Sequence, residues 1–272
     1  GGIGEPLSDA QRGFAAPSVE AYLERVDALD GRVDPATQSV GVAPHSIRAA
    51  TPDEFATLHT EARRRGMVVH AHVEERREEV EACLAAYGKT PTAAILDATG
   101  TAEAFTAVHA THTTSADMER LLESGGTVCV CPLTEANLGD GIPHLAPLVQ
   151  VGGPVCLGTD SNARISMVEE MRWLEYGQRL AGERRGALAD GAGSVARTLL
   201  KAATEGGARA LGIDTGAIEA GRWADLTAVD LAHPSLAGAD PEELLPALVF
   251  GAGNAAIAAT CVGGRWRESA ES

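Results

Sequence analysis

Short apolar segments alternate with longer amphipathic segments between about residue 38 and residue 162, and this alternation constrains the fold more than any other feature. The apolar segments predict strands at Ser39–Val42, Met67–Val73, Ala104–His109, Thr127–Pro132 and Val155–Gly158. The segment Thr51–Arg65 predicts a helix, because Thr51 and Glu54 form a capping box around a proline at the first helical position. Strand, helix and strand in regular succession require crossover connections, so the sequence predicts an α/β fold with a parallel sheet.

Polar side chains of catalytic type follow these predicted strands, at the point where each strand ends. They are His45, Glu75, His109, the run Thr134–Asn137, and Asp160. Parallel (β/α) barrels carry their active sites at the carboxyl ends of the strands. The sequence therefore predicts an active site along this edge of the sheet.

The predicted secondary structure changes from helices to short strands near residue 212, after a helical stretch over residues 165–211. Residues 216–230 predict short strands with tight turns, and a last strand is predicted at Ala259–Val262. We therefore expect one domain over residues 1–211 and part of a small β-rich domain over residues 212–272.

The composition excludes several classes of protein. A net charge of −16 argues against nucleic acid as a partner, because phosphates need a basic surface. The five cysteines follow no disulfide framework or metal-binding spacing, and no signal peptide or membrane-spanning apolar run is present in the sequence. We expect a cytoplasmic protein that binds neither nucleic acid nor membrane.

His72 and Glu75, within the segment Val68–Glu75, form the most informative candidate pair. An imidazole is a good zinc ligand, and a carboxylate close by can hold the activated water and move its proton. A core histidine followed by a solvent-facing glutamate is the alternative. His70 shares a strand face with His72 but lies deeper, which favours a buried, hydrogen-bonded histidine over a ligand.

Three further positions admit more than one interpretation. His109 could bind the metal or polarise the scissile bond. Asp160 follows an apolar strand and a glycine, where helix capping is the alternative to catalysis. Arg48, three residues after His45, suits a carboxylate ligand held in bidentate fashion, although this segment taken alone favours a surface arginine paired with a glutamate or aspartate.

The order of these residues along the chain resembles the amidohydrolase superfamily, and within it the N-formimino-L-glutamate deiminase (formimidoylglutamate deiminase) family. Histidine, glutamate at +3, histidine and then aspartate follow successive strands. Two longer strings are more specific than these residues: T-E-A-N-L-G-D-G from Thr134 and R-W-L-E-Y-G-Q-R from Arg172. The similarity extends over nearly the whole chain, with one departure at Asn162, where the family commonly has histidine.

The resemblance implies roles for six residues. His72 and Asp160 would be ligands of one Zn²⁺ ion, with Fe²⁺ as another candidate metal. Glu75 and Asp160 would accept the proton of the attacking water, and His109 would orient the water or the substrate. His45 and Arg48 would bind the substrate, with Arg48 holding a glutamate carboxylate.

The superfamily also supplies two metal ligands from an H-x-H motif on its first barrel strand, and His70–His72 does not fit that place. Only 37 residues separate His72 from His109 and 88 separate His72 from Asp160. Several further units of about 30 residues would not fit before Asp160. We therefore expect a partial (β/α)8 barrel, from strand 4 to strand 8, followed by part of a small β-sandwich domain. The chain would be the C-terminal portion of a longer protein.

The resemblance implies hydrolysis of N-formimino-L-glutamate to N-formyl-L-glutamate and ammonia, a step of histidine degradation. A second hypothesis is a ring deaminase or chlorohydrolase on the same scaffold, whose flat heterocyclic substrate has less use for Arg48. A third is a catalytically incomplete fragment. We expect the full-length protein to be a homodimer acting on a small substrate with carboxylates, and the 272-residue chain to be inactive alone.

Overall fold

The computed structural model describes residues 2–145, 148–149 and 153–268. The chain forms two compact units. The first extends to Cys129 and also includes Ala210–Gly212, whereas the second contains Val130–Arg209 and continues from Ile213.

The first unit is built on parallel strands with helices between them. The strands are β1 (Val69–Val73), β2 (Phe105–His109) and β3 (Thr127–Val130). Strands β1 and β2 are parallel and in register from the pair Val69 and Phe105 to the pair Val73 and His109, and β3 pairs with β2 in the same direction. The helices are α1 (Asp9–Arg12), α2 (Val19–Asp30), α3 (Pro52–Arg64), α4 (Arg77–Tyr87), α5 (Pro91–Thr99) and α6 (Ser115–Glu123).

Helix α3 confirms the helix predicted over Thr51–Arg65. Thr51 is its N-cap, and the Thr51 side chain accepts from the Glu54 amide while the Glu54 carboxylate accepts from the Thr51 amide. Phe55, Leu58 and Ala62 are buried on one face of the helix. Their spacing of three and four residues is the helical repeat of an amphipathic segment, so this helix contributes a continuous apolar face to the core.

Four of the five predicted strands form, each within a few residues of its expected bounds. The prediction of a strand at Ser39–Val42 was wrong. Val42 makes only an isolated parallel bridge to Val69, and Ser46 makes another to His72. Gly41 and Pro44 explain the difference, because glycine weakens a strand and proline cannot donate to the ladder. Strand β3 ends before Pro132 because that proline is the first residue of a helix.

The second unit is mostly helical around a short strand, with an antiparallel sheet near its C-terminal end. The helices are α7 (Pro132–Leu138), α8 (Met167–Gly182), α9 (Val195–Lys201), a π-helical turn (Ala202–Gly206), α10 (Gly207–Leu211), α11 (Leu244–Gly251) and a 3₁₀ turn (Asn254–Ala256). The strands are β4 (Val155–Leu157), β5 (Leu226–Val229), β6 (Ile257–Val262) and β7 (Arg265–Glu268). Beyond β4, the Gly158 amide donates to the carbonyl of Val130, the last residue of β3.

The β-rich texture predicted after residue 212 is present in part. Strands β5, β6 and β7 form one antiparallel sheet in that order, and Gly263 and Gly264 close the β6–β7 hairpin with positive φ angles of 54° and 79°. Two positive φ angles match the right-handed twist of a tight hairpin, which explains the glycine pair. Residues 216–224 form no strand, and helix α11 interrupts the region. None of the described helices combines the length and apolar character needed to cross a bilayer.

Candidate active site

His72, at the carboxyl end of β1, has an imidazole whose orientation is fixed by the backbone. Its Nδ1 lies 2.8 Å from the His45 carbonyl oxygen, and the His72 amide donates to the same oxygen at 2.9 Å. Because a carbonyl oxygen only accepts, Nδ1 must carry the proton. The Nε2 atom is then the basic nitrogen, which is the tautomer that a metal-ligating histidine requires.

His70 has a different environment from His72, two residues away on the same strand. Its Nε2 atom lies 2.7 Å from the carbonyl oxygen of Ala210, within the same unit. That bond places the proton on Nε2 and joins β1 to the segment Ala210–Gly212. This geometry agrees with the interpretation of His70 as a hydrogen-bonded structural histidine.

Three imidazoles form a row across the ends of the first unit's strands. The ring centroids of His45 and His72 are 4.7 Å apart, and those of His72 and His109 are 5.6 Å apart in a stacked arrangement. His109 is fully buried, whereas His45 is exposed. The row therefore extends from the solvent to the interior of the unit.

Glu75 lies between His109 and the guanidinium of Arg48. Its Oε1 atom is 4.0 Å from His109 Nε2, and its Oε2 atom accepts from Arg48 Nη2 at 3.1 Å. The Ser46 hydroxyl, which is fully buried, connects Arg48 to His45: it accepts from Arg48 Nε at 3.3 Å and lies 3.0 Å from His45 Nδ1. All five residues predicted in this unit (His45, Arg48, His72, Glu75 and His109) thus form one connected cluster.

Two buried glutamates of this cluster were missed by the sequence analysis. Glu79, on α4, is 2% exposed and places Oε2 3.6 Å from Arg48 Nε. Burial raises the pKa of Glu79 to about 7, and the positive charge of Arg48 opposes that rise. Glu74 is fully buried and accepts from the Thr92 amide at 2.9 Å, at the N-terminus of α5 where the helix dipole favours negative charge.

A signal for Glu79 was available in the sequence. Glu79 and Cys83 are four residues apart on α4, so they share one face, and both are buried. A carboxylate at a core position of an amphipathic helix is unusual and costly unless it has charged or hydrogen-bonding partners. The exposed neighbours Arg77 and Glu78 obscured this position in the sequence.

Three residues at the carboxyl ends of β1 and β2 have strained backbone conformations. Glu74, His109 and Ala110 have positive φ angles of 52°, 73° and 52°. Such conformations cost roughly 1–3 kcal/mol for residues with a Cβ and persist where the surrounding contacts enforce them. The strain turns the chain directly beside Glu75 and His109, at the position where the sequence predicts the active site.

Asp160 lies in the second unit, three residues beyond β4, and is exposed. Its loop is held by Thr134: the Thr134 hydroxyl donates to the Thr159 carbonyl at 3.1 Å and accepts from the Ser161 amide at 3.2 Å. Asn162 accepts from the Thr159 hydroxyl at 2.6 Å. Helix capping does not explain Asp160, because the helix that follows begins at Met167 with Ser166 as its N-cap.

The string that begins at Arg172, together with Glu170 just before it, makes polar contacts within the second unit. Glu170 accepts from the Leu133 amide, Glu175 accepts from the amides of Ala187 and Leu188, and Gln178 bonds the backbone of Pro143 and Leu145. Arg172 donates to the carbonyls of Val249 and Ala252, at the end of α11. Because buried polar groups must be satisfied, these side chains constrain how α8 packs against its neighbouring loops.

Known proteins that are similar in sequence to this chain are amidohydrolases. The sequence profile of the amidohydrolase family matches residues 14–267. Formimidoylglutamate deiminase of Pseudomonas aeruginosa is 39% identical over 97% of this chain, which covers 58% of that protein. The chain therefore spans less than two thirds of this relative's length.

Solved structures agree in fold over almost the whole chain. An amidohydrolase from Brucella melitensis has a TM-score of 0.83 and 32% identity, covering 98% of this chain and 59% of its own. An adenosine deaminase from Xanthomonas campestris with bound zinc also has a TM-score of 0.83, at 30% identity, covering 93% of this chain and 57% of its own. These neighbours match an α/β fold with a parallel sheet.

Proposed function

The chain belongs to the amidohydrolase family, and from this premise we propose that it is part of a metal-dependent hydrolase that converts N-formimino-L-glutamate to N-formyl-L-glutamate and ammonia. The observation that carries the proposal is the guanidinium of Arg48 beside Glu75 and the row of three imidazoles. A cation suited to a carboxylate thus adjoins the groups that would move protons. The 39% identity to the Pseudomonas aeruginosa deiminase supports the same substrate.

We propose that the parallel sheet is part of a (β/α)8 barrel, with β1 as its fifth strand, β2 as its sixth and β4 as its eighth. Residues 1–211 would belong to this barrel and residues 212–272 to a small β-sandwich domain. The antiparallel sheet β5-β6-β7 is the part of the chain that suits such a domain.

His72 and Asp160 would hold the metal, for which zinc is our choice. The donor set fits: in an imidazole whose Nδ1 proton is fixed by the His45 carbonyl, Nε2 is the basic nitrogen that a metal binds, and a carboxylate is a good partner ligand. A bound divalent metal would supply the Lewis acidity that activates water near neutral pH. Zinc in the Xanthomonas campestris neighbour supports this choice of metal.

The chain's own residues would bind the substrate and carry its protons. Arg48 and His45 would hold a carboxylate of the glutamate part. Glu75 and Asp160 would accept a proton from the attacking water as its oxygen bonds to the formimino carbon, and Glu75 would return it to the nitrogen. Transfer of the remaining hydroxyl proton to the same nitrogen, as the carbon–nitrogen bond breaks, then releases ammonia and leaves the formamide. His109, fully buried and 4.0 Å from Glu75, would stabilise the tetrahedral intermediate.

The experiment that tests this proposal measures ammonia release by the zinc-loaded full-length protein. N-formimino-L-glutamate, guanine, adenosine and S-adenosylhomocysteine would be compared at equal concentration. We expect turnover of the formimino substrate and a kcat/KM at least about 100-fold lower for each ring substrate. Guanine and adenosine offer Arg48 no carboxylate, and the carboxylate of S-adenosylhomocysteine lies far from its scissile amino group. Turnover of a purine without turnover of the formimino substrate would favour the ring deaminase.

A further inference from the structure

The guanidinium of Arg48 is shared between two carboxylates. Nη2 donates to Glu75 at 3.1 Å, and Nε lies 3.6 Å from Glu79, close to the Ser46 hydroxyl at 3.3 Å. Nη1 makes no hydrogen bond to any residue that the structure describes. The exposed fractions of the side chains alone are 25% for Arg48, 13% for Glu75 and 1% for Glu79. One edge of the guanidinium is therefore held from the interior, and its remaining amino group is available to a ligand.

Glu79 is a buried charge whose surroundings are specific. Its Oε1 accepts from the Glu74 amide at 3.3 Å, and its Oε2 has no hydrogen-bond partner among the described residues. The groups that face it are Arg48 from the loop before α3, Glu74 and Glu75 from the loop after β1, and Cys83 from its own helix. Arg48 is the only cation among these groups. The charge of Glu79 therefore acts mainly on Arg48.

We propose that Glu79 is a positioning residue that sets how much of the positive charge of Arg48 is available to the substrate carboxylate. The inference rests on the proposed function, which assigns Arg48 to that carboxylate. When Glu79 is ionised, it competes with the substrate for the same guanidinium. When it is neutral, Arg48 balances only Glu75, and an anionic ligand binds more tightly.

The expected consequence is a pH-dependent affinity for anionic substrate. Because burial raises the pKa of Glu79 to about 7, its charge develops within the range of an ordinary assay. Affinity should fall as the pH rises through that value. One unit charge a few ångströms from a bound carboxylate in a partly buried site changes affinity on the order of tenfold.

The test uses the zinc-loaded full-length protein and its Glu79→Gln variant. The KM for N-formimino-L-glutamate and the calorimetric Kd for the product N-formyl-L-glutamate would be measured from pH 6 to pH 8.5. We expect wild type and E79Q to have similar values at pH 6. At pH 8.5, wild type should have a KM and a Kd about tenfold higher than E79Q, with a much smaller change in kcat. Titratable groups other than Glu79 are present in both proteins, so the ratio between the proteins isolates the effect of Glu79.

Two further variants keep the test decisive. Glu78→Gln removes the same charge from an adjacent, exposed position of α4 and should behave as wild type. Glu79→Asp retains a carboxylate and should retain the pH dependence even if E79Q folds poorly. A ratio of KM values between wild type and E79Q that does not change with pH would overturn the inference alone. If the wild type shows neither turnover nor product binding, the proposed function and the inference are both overturned.

Discussion

At the scale of single residues, the orientation of His72 leads to a direct prediction about metal binding. Its Nδ1 proton is donated to the His45 carbonyl at 2.8 Å, so Nε2 is the basic nitrogen, as a metal ligand requires. We expect His72→Ala in the full-length protein to reduce bound zinc from about one ion per chain to nearly none, because the loss of one ligand weakens a metal site severely. Zinc would be counted by plasma mass spectrometry after dialysis.

His144→Ala is the matched control for this measurement, since His144 is exposed in the second unit and has no proposed role. It should retain full zinc content. An H72A protein that keeps stoichiometric zinc would exclude His72 as a ligand.

Glu79 leads to a second prediction at this scale, which concerns stability. Its pKa is about 7 in the folded protein against an ordinary value of 4.5, so the folded state binds the proton more tightly between these two values. The free energy of unfolding should therefore fall as the pH rises from about 4.5 to 7, by up to about 3 kcal/mol from this group.

Urea unfolding at a series of pH values checks this linkage. The difference in unfolding free energy between Glu79→Gln and wild type should shift in favour of the variant as the pH rises. Glu78→Gln should follow the wild-type pH profile. A constant difference between E79Q and wild type from pH 4.5 to pH 8 would contradict the raised pKa.

At the scale of structural elements, the π-helical turn Ala202–Gly206 packs against the backbone of β4. A Cβ added at Gly206 would lie 2.2 Å from the Val155 carbonyl oxygen, a distance that forces the backbone apart. Gly206→Ala should therefore destabilise the second unit by several kcal/mol, in the range of severe overpacking. It should also lower activity, because β4 leads directly to Asp160.

Gly207→Ala is the adjacent control, because a Cβ there meets nothing within 4 Å. Alanine in a helical conformation is favoured over glycine, so G207A should be neutral or slightly stabilising. Thermal unfolding of the two variants would distinguish them. Equal stability of G206A and G207A would contradict the close packing on β4.

Helices and strands with strong local sequence signals were predicted accurately, whereas features set by tertiary contacts were not. The capping box of α3 and the apolar runs of β1 and β2 predicted these elements within one or two residues, because their signals are local. The segment Ser39–Val42 was predicted as a strand from its apolar residues, and only Val42 pairs. The positive φ angles of Glu74 and His109 follow from tertiary contacts, which no local pattern encodes.

At the scale of the molecule, the sequence predicted which side chains of the first unit lie together but not the contacts between them. The positions of His45, Arg48, His72, Glu75 and His109 at strand ends predicted that they would lie together, as parallel strands require. The pairing of Arg48 with Glu75 in particular was not predicted, because the ion pair was only the alternative to substrate binding and its partner was not identified. Glu79 escaped because burial of a charge depends on how α4 packs, and its sequence neighbours are exposed.

If Arg48 binds the substrate carboxylate beside a metal-dependent deiminase site, as we propose, activity should depend on that carboxylate, and a comparison of two substrates tests this. Formamidine has the scissile carbon–nitrogen bond of N-formimino-L-glutamate but no carboxylate. The kcat/KM for each substrate would be measured with the zinc-loaded full-length protein and with its Arg48→Met variant. Effects on Glu75 chemistry apply to both substrates and cancel in the ratio.

We predict that the ratio of kcat/KM for N-formimino-L-glutamate to that for formamidine falls about 100-fold in Arg48→Met, the size expected for one charge-assisted carboxylate contact. An unchanged ratio, with wild type active on N-formimino-L-glutamate, would contradict the assignment of Arg48 to the substrate carboxylate.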